Sequence, residues 1–443
     1  MPATTSTLAE LPASPVLRRN DRSTEEHAVA TPFPPLTRSL RWNMLYALVG
    51  NGAYNVAQGG FLVILARLNS PAAVGDFAYG LAITAPIFML VSLQLRQLIA
   101  GDAGHELALK DLLGLRLLTT LFASVVSCGV AFCLGETPSA TYAIAGMALF
   151  KSVEAISQVL TATHQRSENF DRSTTSSLLR AAASLSLVLV AAWFWPSAGN
   201  CSIAAAIGAL AVIITYDLPV AARLAGTTHL WPRFRSDFLW TILWRGLPLG
   251  IAMMLLGLLP NIPRYFVRGE LGVSELGIYS ALGFLGNAGT IVMSAVCQPA
   301  LPRLARYHLE QRRADFARLV ASIVGGAAVL GLSLVLGAAV FGAAALGLIY
   351  GPEYASHHHL LIWQMVATTA SLMTVAIGTA VTASRQIALQ PVIVLMATLV
   401  CSAGCWLLVP VYGLHGAAWA LCIAWCFCFM GYLLLLCWKS KHS

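Results

Sequence analysis

Residues 68–81 read LNSPAAVGDFAYGL, and residues 271–282 read LGVSELGIYSAL. Each places a leucine, then Gly75 or Gly277, then an aromatic two positions later, Phe77 or Tyr279. A second pair lies at a similar offset. PSAGNCSIAAAIGAL from Pro196 and PVYGLHGAAWALCIA from Pro410 both run Pro, then Gly three residues on, then a helix start of small residues. Two independent matches about 200 residues apart imply an internal duplication. Hydropathy shows what is duplicated. From Leu40 onward the chain supplies apolar runs of about 20 residues almost without pause, the length that crosses a hydrocarbon core. About twelve such segments fall at 44–66, 78–100, 113–134, 140–162, 176–196, 202–223, 243–266, 277–299, 319–346, 358–382, 388–410 and 414–437. A repeat spanning an even number of crossings leaves its two copies parallel, and parallel repeats set a substrate path between two lobes. The expected fold is therefore an all-α integral membrane protein of about 12 transmembrane helices in two parallel-repeat six-helix lobes.

Composition excludes the alternatives. With 443 residues, 58% hydrophobic, 10% charged and a mean hydropathy of +0.73, the chain cannot present the polar surface of a water-soluble globule. Residues 1–39, rich in Pro, Ser, Thr and Ala, lack the apolar run of a signal peptide and read as a disordered cytoplasmic tail. The lobes are expected at 40–224 and 243–438, with a cytoplasmic linker at 225–242 and a short tail at 439–443.

Short loops retain Lys and Arg on the cytoplasmic side. With the N-terminus inside, all of the 27 Lys and Arg except Arg67, Lys151, Arg264 and Arg268 fall on cytoplasmic loops, tails or helix ends, so both termini are expected in the cytoplasm. The net charge of +8 follows from this topology and from anionic lipid headgroups, and gives no reason to invoke nucleic acid. WPRFRSDF (231–238) and RLARYHLEQRRADFARL (303–319) mix Arg with Leu and aromatics and are expected to lie along the interface as anchors. The outer loops are too short for an extracytoplasmic catalytic domain.

Several motifs together carry a family resemblance: LARLNSPAAVGDFAYGLA after the first helix, RGELGVSELGIYSAL after the seventh, QPALPRLARY after the eighth, IYGPEYASHHHLL before the tenth, and LVPVYGLHGAAWAL between the last two. In this order and spacing the chain resembles the polysaccharide-transporter branch of the MOP exporter superfamily, the O-antigen and exopolysaccharide flippases. The resemblance covers everything after the tail. It implies a transporter of the bacterial cytoplasmic membrane, with no enzymatic step and no cofactor. Its substrate would be an undecaprenyl-pyrophosphate-linked oligosaccharide, moved to the outer leaflet by alternating access. Polymerase and glycosyltransferases of the same assembly pathway would be its partners.

Moving a pyrophosphate and sugars through hydrocarbon requires a hydrated cavity with positive charge and hydrogen-bonding groups. Polar residues at helical spacing mark candidate faces. Asn51, Asn55 and Gln58 form one stripe in the first helix, Lys151, Glu154 and Gln158 one in the fourth, and Asn261, Arg264 and Arg268 one in the seventh. Asn287, Thr290, Ser294 and Gln298 follow in the eighth, and Gln364, Thr368 and Ser371 in the tenth. The resemblance implies a cavity lined mainly by the first two helices of each lobe, which favours the stripes on helices one, seven and eight. The substrate-binding candidates are Arg264, Arg268, Asn261, Lys151, Asn51, Asn55, Gln58 and Asn287, with Glu154 as coupling-ion candidate. Each has a plainer reading. Neutral polar groups glue transmembrane helices together. Arg264 and Arg268 lie near a helix end, from which they could snorkel or pair with Glu270 and Glu275. Lys151 and Glu154, one turn apart, could form a buried ion pair that holds helix register. Asp217 reads as interfacial.

Ten cysteines, nearly all within predicted helices, read as packing thiols, and the consecutive His357, His358 and His359 diverge too far to converge on one metal. Nucleotide-binding and HExxH motifs do not occur. An exporter of the same fold for drugs or another lipid-linked precursor remains the alternative, ahead of an outer-face polymerase or ligase.

Overall fold

Caps and breakers decide where the helices begin and stop. At the first repeat motif Ser70 accepts from Ala73 N at 3.3 Å, and Pro71 occupies the first turn, where its missing N–H costs no intrahelical bond. Ser197 does the same ahead of Ala198, accepting from Asn200 N at 3.1 Å. The computed structural model describes residues 40–93, 95, 108–166, 170–224, 230–386 and 389–442, and among these it is helical throughout, with no strand. The residues 1–39 expected as a tail lie outside that set, as do 225–229 of the expected linker.

In chain order the helices are α1 (Leu40–Leu68), α2 (Pro71–Ser92), α3 (Leu109–Cys133), α4 (Pro138–Arg166), α5 (Phe170–Phe194) and α6 (Ala198–Leu224). There follow α7 (Ser236–Leu258), α8 (Ile262–Leu271), α9 (Val273–Phe284), α10 (Asn287–Leu309), α11 (Arg313–Ile349), the short α12 (Pro352–Ala355), α13 (His358–Ala383) and α14 (Gln390–His442). Ten helices among the described residues are long and apolar enough to cross a membrane, which makes the chain a multi-pass membrane protein. The expected number was about twelve. The two differ at α1, whose Asn51, Asn55 and Gln58 dilute its hydropathy, and at α14. The latter holds both of the last two expected segments, interrupted at Gly413, whose φ of 57° and ψ of −133° suit a residue without a Cβ.

Proline accounts for one further departure. The expected single segment 243–266 is broken between α7 and α8 by a 3-10 turn, Leu259–Asn261, with Pro260 inside it and Pro263 just beyond. The next expected segment breaks at Leu285–Gly286, between α9 and α10. Residues 303–319 do not form a separate interfacial helix. They are the end of α10, a turn through Gln311 at φ 56°, and the start of α11. At 231–238 the chain is extended up to Arg235, where Arg233 N donates to Lys110 O at 2.9 Å, and α7 begins at Ser236. Helix continues through the expected short C-terminal tail to His442.

The first-half helices pack mainly on one another: α1 on α5, α5 on α6, α4 on α3, α2 and α6. In the second half α13 packs on α10, α11 and α14, and α8 packs on α14. Contacts between the halves run chiefly from α2 to α9 and α7. Buried positions on α11, Ile323, Ala327, Gly331, Ala338, Gly342 and Leu346, form one stripe of mostly small residues, while Val329, Leu332, Leu336, Val340 and Phe341 are exposed. That is the pattern of a helix with a close-packed inner face and a lipid-facing outer one.

The two repeat motifs meet. A Cβ on Gly75 would sit 1.9 Å from Val273 O, and one on Gly277 would sit 1.9 Å from Pro71 O. The contact is reciprocal, and it lets the N-terminal turns of α2 and α9 touch backbone to backbone.

Candidate functional site

The fourth-helix stripe is the centre of a polar cluster. Lys151 Nζ donates to Glu154 Oε2 at 2.9 Å and to Tyr54 OH, on α1, at 3.2 Å. Gln58 Nε2 donates to the same phenolic oxygen. One turn further along α4, Gln158 Oε1 accepts from Arg116 NH2 of α3 at 3.2 Å. Arg116 Nε donates to Ala155 O at 3.0 Å and its NH1 to Val91 O at 3.4 Å. Among the described residues all acceptors of Arg116 are thus neutral, although this residue is only 4% exposed. A cavity of about 370 Å³ opens here, lined by Arg116, Lys151, Glu154, Gln158 and Tyr54 together with the apolar Phe88 and Met89 of α2. It is large enough to hold several waters or a small anionic group.

In the second half, Asn261 ends the 3-10 break. Its Nδ2 donates to Gly257 O at 2.7 Å, satisfying a carbonyl that the proline-interrupted helix leaves open, and its Oδ1 accepts from Arg264 NH1 at 2.8 Å. Asn261 is buried and Arg264 half-buried. No carboxylate lies within 4 Å of Arg264 among the described residues, so this guanidinium too is held by a neutral partner alone.

Arg268, one turn on, has a different environment. Its NH2 pairs with Glu136 Oε2 at 2.6 Å, in the α3–α4 turn, and its NH1 with Asp76 Oδ1 at 3.5 Å, on α2. The guanidinium lies 4.4 Å from the centre of the Tyr79 ring, and Tyr79 OH donates to Glu136 Oε1 at 2.5 Å. Asp76 also accepts from Ser139 Oγ at 2.9 Å. Burial works against ionisation of Glu136, but the hydrogen bonds from Arg268 and Tyr79, with the Arg268 charge, outweigh it and hold this carboxyl below the usual carboxylate range. The expected partners Glu270 and Glu275 take no part. Nearby, Tyr265 OH donates to Ala82 O at 2.5 Å, and Arg67 at the end of α1 caps the last carbonyls of α11, bonding Gly347 O and Ile349 O at 3.0 Å and also Leu348 O. These side chains tie the two halves together at the end that carries the α1–α2 and α8–α9 turns.

The other candidates disperse. Asn55 is half-buried on α1, the side chain of Asn51 lies outside the described residues, and Asn287 opens α10 with its carbonyl accepting from Thr290 Oγ1 at 2.7 Å. Gln364 is buried and donates to Tyr279 O at 2.8 Å, bonding α13 to α9. Among the described residues no group of three or more His, Cys, Asp or Glu could hold a metal ion.

Comparison with known proteins bears on what this arrangement serves. The polysaccharide biosynthesis protein family matches residues 40–308. The chain belongs to that family. It is 25% identical over 394 residues to the capsular polysaccharide biosynthesis protein CapF of Staphylococcus aureus, a match that covers 86% of this chain and 95% of the relative. Its fold is that of the MATE transporters. The Vibrio cholerae MATE transporter VcmN superposes with a TM-score of 0.60 at 15% identity, covering 91% of this chain and 95% of that one. The eukaryotic MATE transporter AtDTX14 does so with 0.64 at 12% identity, covering 89% and 95%. Family and fold together make this a polysaccharide biosynthesis protein built on the fold of the MATE transporters.

Sequence reasoning missed several of its polar residues. Arg116 and Arg180 fall near the starts of expected segments 113–134 and 176–196 and so read as cytoplasmic flanks. The helices begin earlier, at Leu109 and Phe170, which carries both side chains one to two turns deeper. Asp217, read as interfacial, is 0% exposed within the bundle. Unusually polar helix starts, KDLLGLR and FDRSTTSSLLR, are the available signal.

Proposed function

We propose that this protein is a flippase that carries a lipid-pyrophosphate-linked oligosaccharide from the inner to the outer leaflet of the bacterial cytoplasmic membrane, by alternating access between lobes formed by residues 40–224 and 243–438. The observation that carries this reading is the presence of two arginines, Arg116 and Arg264, within membrane-spanning helices and bonded, among the described residues, only to neutral groups. A buried charge within a membrane-spanning segment is costly unless something compensates it. A pyrophosphate anion supplies the missing counter-charge, and the hydroxyl and amides of Tyr54, Gln58 and Gln158 supply hydrogen bonds suited to phosphate or sugar. Lys151, already paired with Glu154, adds donors to the same cavity. Cationic drugs would be repelled by the arginines, which disfavours the drug-exporter alternative despite the shared fold.

The distribution of Lys and Arg puts both termini in the cytoplasm, and on that orientation the contacts around Arg268 and Gly75 close the outer end. The polymerase and glycosyltransferases of surface-polysaccharide assembly are the partners this role requires. The deciding experiment is the leaflet distribution of undecaprenyl-pyrophosphate-linked glycan in cells depleted of the protein, read with an impermeant reagent against the sugar. Glycan accumulating on the cytoplasmic face is the expected result. Normal crossing with unpolymerised glycan outside would overturn it.

A further inference from the structure

Behind the cavity lies a second polar cluster that binding of the anion does not use. Asp217 closes a π-helical turn, Ile213–Asp217, within α6, about 10 Å from the end of its span at Leu224. Such turns recur at functional positions in α-helices. Ser157 Oγ of α4 donates to Asp217 Oδ2 at 2.8 Å, whereas Oδ1 has no hydrogen-bond partner. Ser176 of α5 stands beside the carboxyl group with its own hydroxyl unpartnered. No Lys or Arg nitrogen lies within 4 Å of Asp217 among the described residues, in contrast to Glu154, which Lys151 neutralises. Arg180 stands one turn along α5 from Ser176. Its Nε is buried without a partner and its NH2 reaches only Ser177 Oγ, at 3.5 Å. Arg180, Glu154, Tyr54 and Gln58 line a narrow cleft, and Tyr54 and Glu154 belong to the neighbouring cavity as well.

A buried carboxylate held by hydroxyls alone is costly, and uptake of a proton removes the cost. The two serines serve either state. Ser157 donates to Oδ2 throughout, and a serine hydroxyl such as that of Ser176 can turn to donate to an ionised carboxylate or to accept from a protonated one. We propose that Asp217 is a proton-binding site, linked through Arg180 to anion binding in the adjoining cavity. Ionised, Asp217 engages part of the Arg180 charge. A proton from water on Oδ1 frees that charge toward Glu154 and the cavity, where it favours an anion, and by reciprocity a bound anion favours the proton. The charged groups concerned are Glu154 and Lys151, one and two turns along α4 from Ser157, and Arg180 on α5. The linkage rests on the anion reading above, but the titration of Asp217 does not.

Two measurements on the full-length protein in lipid nanodiscs test this. Infrared difference spectra between acidic and alkaline buffer should show a protonated-carboxyl band that is missing in Asp217→Asn. Ser157→Ala, which removes the donor to Oδ2, should shift that band's titration to higher pH, and it decides the matter if Asp217→Asn fails to fold. A band unchanged in both variants overturns the proton site. Binding of undecaprenyl pyrophosphate should tighten roughly 5–150-fold from the alkaline to the acidic limit, and Asp217→Asn should bind with the acidic-limit affinity at every pH. The same pH dependence in the variant overturns the linkage and leaves the anion site standing. No binding by either protein at any pH overturns the anion site and the linkage with it, and the infrared band still decides whether Asp217 titrates.

Discussion

Lys151 and Glu154 show how far a single residue's role depends on its neighbours. Their ion pair is about 14% and 12% exposed, and a pair so enclosed loses more when one partner is removed than when both go, because the survivor is left as an uncompensated charge. Glu154→Ala should therefore destabilise the protein by about 3–5 kcal/mol and lower its amount in the membrane. The double variant Lys151→Met, Glu154→Gln should restore the amount but not export. Thermal unfolding of purified protein, alongside polysaccharide output at matched protein levels, separates the two effects, and an export-competent double variant would remove Lys151 from the substrate path. Arg264→Ala should behave differently. Only Asn261 loses a partner, so folding should hold while export falls about tenfold or more, as expected for an anion contact worth 1.5–3 kcal/mol. At this scale the sequence was half legible. Spacing put Lys151, Glu154 and Gln158 on one face, and Asn261 beside Arg264, because those neighbours share a helix. What it did not show is which other helices supply Tyr54, Arg116, Glu136 and Asp76, since these contacts depend on helix placement that hydropathy does not encode.

The helices themselves were more legible, and the reason is visible in the repeat. Apolar runs long enough to span a membrane announce themselves, and the repeat paired Gly75 with Gly277, which the structure brings to one helix–helix contact. The breaks were less plain. Pro260 and Pro263 divide α7 from α8, yet the flanking sequence is apolar on both sides, so hydropathy runs straight through. The glycine pair gives a prediction at this scale. Because a Cβ at either position would meet a backbone oxygen at 1.9 Å, no side-chain rotation relieves the clash, and α2 and α9 must separate. Gly75→Ala should cost at least about 1–3 kcal/mol of the closed arrangement and Gly277→Ala a similar amount. Leu276, 0% exposed beside this contact, is the reporter. A Leu276→Cys side chain should resist an impermeant maleimide in the parent and react in either glycine variant, and equal protection in all three would show that the close approach does not hold the two halves together.

Among the described residues the two halves join at one end by apolar packing, by hydrogen bonds from Arg67 and Tyr265, and by the charged junction at Arg268, and the last of these is adjustable. Arg268 from α8 bridges Glu136 and Asp76 of the other half, so its ion pairs form only while that end is closed. Since Glu136 ionises below the usual carboxylate range, it stabilises closure fully above the ordinary glutamate value of about 4.3 and loses this contribution only as pH falls through its own lower value. Closure should thus be insensitive to pH across the neutral range, and Leu276→Cys should stay protected from the maleimide throughout it. Reversing the charge gives the sharper test. Arg268→Glu places a carboxylate against two others and should open this end, exposing Leu276→Cys and reducing export. Adding Glu136→Arg restores the main pair with its polarity exchanged, and should recover both protection and part of the export. If Arg268 instead served the substrate directly, the exchanged pair would recover protection from the maleimide while export stayed as low as in the single variant.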